Sequence, residues 1–131
     1  MQPTSARPMG ITILAVLAAI GGVFGLLGSL AFLAIGGLAA TAGAGVLGGM
    51  GMVFGLLLAA LAIVELAFAY GAWTLKPWAW MLGIVAQGIS IAIALVDGAT
   101  GGTINFVGIA ISAVIIYYLM TPAVKQAFGR A

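Results

Sequence analysis

Cysteine and histidine are both absent from this chain of 131 residues. Disulfides, thiolate chemistry, haem ligation by histidine and the usual zinc sites are therefore excluded within it. Charge is scarce as well. Four basic side chains (Arg7, Lys76, Lys125 and Arg130) stand against two acidic ones (Glu65 and Asp97), and charged residues make up 5% of the sequence. Soluble domains carry about 25%. So few charges cannot coat a water-soluble fold of this length, and four dispersed cations are too few for a nucleic-acid patch. No nucleophile–base pair, paired carboxylates or phosphate loop appears. A lone Asp97 in a turn makes a poor calcium ligand. The sequence predicts no catalytic residue, no cofactor-binding residue and no metal ligand, and it does not read as an enzyme.

What the chain has in abundance is apolar surface: 65% of its residues are hydrophobic, and 21 are glycine. It reads as a single transmembrane domain over residues 1–131, all-α, a four-helix bundle. From Pro8 to Val64 no residue is charged. As one helix this run would far exceed the bilayer core of about 30 Å, at about 1.5 Å per residue. It must fold back, and the glycine-rich stretch Gly36 to Gly45 is the expected break. The apolar run after Arg7 outlasts the core of a signal peptide, which predicts an uncleaved first helix. The second break is Leu75-Lys76-Pro77-Trp78-Ala79-Trp80, where Pro77 suits the first turn of a new helix. Asp97 to Thr103 forms the third turn, and Thr121-Pro122 closes the last span. The predicted helices are roughly 9–35, 46–74, 77–96 and 104–120. The tail from Ala123 either forms a short interfacial helix, with Val124 and Phe128 four apart, or stays irregular.

Charge sets the orientation. Four crossings put both termini and the Lys76 turn on one side, with all four cations there and Asp97 on the other. Three crossings would split the cations. The prediction is a multi-pass protein of the cell (inner or plasma) membrane with cytoplasmic N- and C-termini. Trp73, Lys76, Trp78, Trp80, Tyr117 and Tyr118 fall where interfacial anchors belong.

Each predicted helix has a face of small residues, of the kind that packs against other helices. The first carries Ala18, Gly21, Gly25 and Ser29. The second carries Gly51, Ala62, Ala69 and Ala72 around Glu65. The third carries Gly83, Ser90 and Ala94 around Gln87, and the fourth Asn105 and Gly108 beside Ser112. Counted from the cytoplasmic ends, Glu65, Gln87 and Ser112 lie at similar depth, about 12–15 Å in. They form a candidate polar cluster with Asn105. An unpaired carboxylate there costs a few kcal/mol on insertion scales, and a protonated Glu65 donating to Gln87 or Ser112 avoids that cost. The segment GGVFGLL at Gly21 recurs as GMVFGLL at Gly51, an echo that a small residue alphabet produces by chance.

Three stretches together resemble a known pattern. They are Arg7-Pro8-Met9-Gly10, the turn Trp73-Thr-Leu-Lys-Pro-Trp-Ala-Trp80, and Tyr117-Tyr-Leu-Met-Thr-Pro-Ala-Val-Lys125. The pattern resembles an uncharacterised family of small four-helix integral membrane proteins of bacteria and archaea. The resemblance implies the same fold and topology and carries no activity with it. Two functions are expected from the residues. The first is a structural or accessory subunit, bound in the lipid bilayer to other membrane protein subunits or to itself. The second is a small proton- or cation-coupled transporter or channel using Glu65.

Overall fold

In a computed structural model, which describes residues 7–130, the chain is helical throughout. Its elements are α1 (Met9–Thr41), α2 (Gly45–Trp73), α3 (Pro77–Ala99), α4 (Phe106–Leu119) and the short α5 (Pro122–Ala127). Among the described residues there is no strand. Three helices, α1, α2 and α3, are long and apolar enough to cross a membrane, which points to a membrane-spanning protein. Helix α4 has 14 residues, or about 21 Å of rise, less than the hydrocarbon core.

Helix ends follow local chemistry. Helix α1 runs six residues beyond the expected stop at 35. Alanines 39 and 40 favour helix, and Gly36 and Gly37 are carried inside it. It ends at Gly43, whose φ of 87° is left-handed. Ala44 N–H donates to Ala39 O at 2.9 Å and Gly43 N–H to Ala40 O at 3.3 Å. This is a Schellman cap, which satisfies two of the open carbonyls. Helix α2 ends in the same way: Lys76 N–H donates to Gly71 O at 2.8 Å and Leu75 N–H to Ala72 O at 3.2 Å. Here the left-handed residue is Leu75, φ 54°, the one described non-glycine residue at positive φ. Pro77 then opens α3, preceded by extended Lys76. Pro122 opens α5 behind extended Thr121 in the same manner. Helix α4 starts at Phe106 instead of 104 because the Asn105 side chain caps it, accepting from Gly108 N–H at 2.9 Å.

The chain forms two compact units, one of Met1–Thr12 with Gly71–Ala131 and one of Ile13–Tyr70. The second is a helical hairpin held by glycines. A Cβ on Gly25 would sit 3.0 Å from the Ala62 Cβ, and one on Gly55 would sit 2.7 Å from Leu33 Cγ. At the loop end, a Cβ on Gly36 would lie 2.8 Å from the Met52 amide nitrogen and 2.9 Å from Gly48 O. The backbones touch there, an approach only glycine permits. The two echoed heptapeptides supply Gly21, Gly22 and Gly25 on one helix and Gly51 and Gly55 on the other, all at this interface.

In the first unit α3 packs against α4 and α4 against α5. Its most buried apolar side chains are Ile11, Leu119, Val124 and Phe128, with Ala72 and Ala79. Gly10 faces the Tyr118 hydroxyl, and Gly71 faces Ala79 and the Trp78 ring.

Candidate functional site

The chain's scarce polar chemistry gathers in two places. The more elaborate lies in the unit that contains both ends of the described chain. Arg7 reaches the C-terminal end of α2, where its Nη1 donates to Trp73 O at 2.6 Å. Its Nε donates to Thr12 Oγ1 at 2.8 Å. The guanidinium carbon stands 3.8 Å from the centroid of the Trp73 ring, a cation–π contact. A cation at a helix C-terminus complements the exposed carbonyls and the helix dipole.

A second aromatic–cation group lies at the start of α3. The Trp80 indole N–H donates to Leu119 O at 2.7 Å, tying the first turn of α3 to the last of α4. Lys125 Nζ is 5.9 Å from the Trp80 ring centroid, and the Arg130 guanidinium carbon is 5.4 Å from it. The tail turns back after α5 because Gly129 takes φ 71°, with Arg130 N–H donating to Lys125 O at 2.7 Å. Arg130 Nε is buried without a hydrogen-bond partner among the described residues.

The expected interfacial anchors therefore differ among themselves. Lys76, Trp78 and Tyr117 are exposed, Tyr117 more so than Trp78. Trp73 is exposed but carries Arg7 on its ring. Trp80 and Tyr118 are partly buried and make packing contacts within the unit. Three stretches far apart in sequence meet here: Arg7 and Gly10, Trp73 to Trp80, and Tyr118 to Lys125.

The second place is Glu65, in the hairpin unit. Its carboxylate lies against Gly21, where a Cβ would come within 2.5 Å of Oε1. Ala62 and Ala69, one turn to either side, are buried. The other members of the expected polar cluster lie in the first unit. Ser112 is buried and Gln87 partly so. Asn105 is exposed, and its side chain is committed to capping α4. Ser29 and Ser90, on the small-residue faces, return their hydroxyls to Leu26 O and Ala86 O of their own helices.

Sequence reading missed Arg7 as the cap of α2 and missed the pairing of two cations on Trp80. Both depend on contacts between residues far apart in the chain, and sequence spacing carries no signal for them. The cap by Asn105 did have a signal, an asparagine directly before a helical run.

Comparison with protein-family models, with curated proteins and with solved structures gives no match.

Proposed function

We propose that this chain is a structural or accessory component of the cell (inner or plasma) membrane, assembled with other membrane subunits or with copies of itself. In this reading α1 to α4 all cross the bilayer, and both termini and the Lys76 turn face the cytoplasm. The contact of Arg7 with Trp73, and of Lys125 and Arg130 with Trp80, supports that side assignment. It gathers cations from both ends of the chain beside the α2–α3 turn, in line with the positive-inside rule.

The observation that carries the assembly reading is a surplus of open glycines. Gly28 and Gly37 on α1, Gly49 on α2 and Gly88 on α3 have no atom of a neighbouring element within 4 Å of where a Cβ would stand. Glycine is a poor helix former and gives lipid chains little to pack on. Its use within spanning helices is close approach by another helix. The test is the size of the chain extracted in mild detergent, with recovery of co-purifying proteins. Assembly predicts a particle larger than the monomer, and Gly88→Leu or Gly49→Leu shifts it toward monomer. A strict monomer with no recovered partner would remove this reading.

A second reading is favoured by one contact, the Glu65 carboxylate against Gly21. It makes Glu65 the proton or cation site of a small transporter or channel, since acids within spanning helices commonly mark such sites. In liposomes this predicts ion flux that Glu65→Gln abolishes. No flux from the wild-type chain, or unchanged flux in Glu65→Gln, would eliminate it.

A further inference from the structure

The pairing of Lys125 and Arg130 on one indole is not explained by assembly or by Glu65. Two like charges are brought within 6 Å of the same ring centroid. No acidic side chain belongs to that neighbourhood in sequence. Asp97 lies near the far end of α3, some 30 Å of helix from Pro77, and Glu65 lies eight residues before Trp73 on α2. The ring itself is fixed, because its N–H is committed to Leu119 O. The tail is fixed too. Gly129 adopts the left-handed turn and Arg130 N–H returns to Lys125 O, while Val124 and Phe128 are buried beneath it. The Arg130 Nε–H is then held out of solvent with no acceptor among the described residues. A buried donor left unpaired costs the desolvation of that group, and two cations facing one ring repel each other. One anion between them would relieve both costs.

We propose that Trp80, Lys125 and Arg130 form a seat for the phosphate of an anionic phospholipid headgroup. The proposal rests on the reading of the chain as membrane-spanning, which brings indoles to headgroup level. Arg130 supplies directed N–H donors to phosphate oxygens, as guanidinium does in its strongest pairs. Lys125 supplies a compact second charge. The Trp80 ring gives the lipid glycerol region an apolar wall. Arg7 is outside the seat, since it is engaged with Trp73 and Thr12. Lys76 is exposed and has no ring contact among the described residues, so it serves as an internal control.

The experiment uses the full chain in phosphatidylcholine nanodiscs, with Trp73 and Trp78 changed to phenylalanine so that Trp80 is the sole indole. A minor fraction of brominated phosphatidylglycerol or brominated phosphatidylcholine is added, and quenching of Trp80 fluorescence is read. The seat predicts stronger quenching by the brominated anionic lipid at equal mole fraction. That preference falls about fivefold in Lys125→Gln and again in Arg130→Gln. It falls less in Arg130→Lys, which keeps the charge but not the directed donors, than in Arg130→Gln, a graded loss that a folding defect would not give, and it falls by less than about twofold in Lys76→Gln. Equal quenching by both lipids overturns the proposal. So does an equal loss in Lys76→Gln and Arg130→Gln, which would mean a diffuse surface charge. Abolition of the preference by millimolar inorganic phosphate at constant ionic strength would assign the seat to free phosphate and overturn the lipid. Quenching by neither lipid would remove the membrane reading itself, a result distinct from failure of the seat.

Discussion

Glycines at single positions in this chain do opposite things, and substitution separates them. Gly36 meets backbone across the hairpin, the Met52 nitrogen and the Gly48 carbonyl oxygen. Backbone cannot step aside, so Gly36→Ala is expected to destabilise by about 1–3 kcal/mol, the usual cost of overpacking. Gly21 meets the far end of the Glu65 side chain, which can swing away. Gly21→Ala therefore costs less than Gly36→Ala. Gly28 meets nothing, so Gly28→Ala gains up to about 1 kcal/mol of helix propensity when the monomer is followed. Reversible unfolding of the three variants in mixed detergent orders them Gly36→Ala lowest, Gly21→Ala between and Gly28→Ala highest. Any other order contradicts the hairpin contacts. Leu75 makes the complementary point. It occupies a left-handed site that costs an ordinary residue about 1–2 kcal/mol, at a cap where the chain elsewhere uses Gly43 and Gly129.

Elements begin and end where side chains or prolines satisfy the open backbone groups. The Asn105 carbonyl oxygen on Gly108 N–H is such a device. Asn105→Ala removes it and is expected to cost about 0.5–2 kcal/mol. The loss appears as faster amide exchange in the first turn of α4, with α1 and α2 unaffected. Trp80→Phe keeps the ring and removes the donor to Leu119 O. It is expected to cost about 1–3 kcal/mol, because that carbonyl sits on a fully buried residue. Unchanged thermal stability of Trp80→Phe would mean the tie between α3 and α4 is idle. The elements were largely legible in advance. Pro77 after Lys76, Pro122 after Thr121 and the glycines near 43 are local signals with local causes. The end of α1 was less so: the four glycines and alanines between Gly36 and Thr41 read alike as breakers or as helix. Only the close approach of Gly36 to Gly48 and Gly51 decides for helix. The candidate site was legible as a set of residue types at one level and illegible as a set of partners. Arg7 and Trp73 are 66 residues apart, and Trp80 and Leu119 are 39 apart.

The molecule as a whole is short of polar surface, and α1, α2 and α3 bury only 22%, 17% and 11% of their most apolar windows. Bilayer, partner subunits or both must cover the remainder. The proposed topology makes a plain prediction, helped by the lack of native cysteine. Ala42→Cys and Thr103→Cys, both exposed between helices, are expected to react with a membrane-impermeant maleimide applied from outside intact spheroplasts. Lys76→Cys and Gln126→Cys are expected to react only after lysis. Labelling of Thr103→Cys from inside would mean that α3 does not cross, and the four-crossing arrangement would fall. The division into two units also bears on biosynthesis. The glycine hairpin is one continuous segment, Ile13–Tyr70, so its contacts are available as soon as α2 has left the ribosome. The other unit needs Arg7 and, more than a hundred residues later in the sequence, Val124 and Phe128. Arg7 must therefore wait for Trp73, 66 residues later, before it can cap α2. A nascent chain stalled after Pro122 is expected to hold a paired hairpin beside an unfinished unit, and membrane quality-control proteases would meet it in that state.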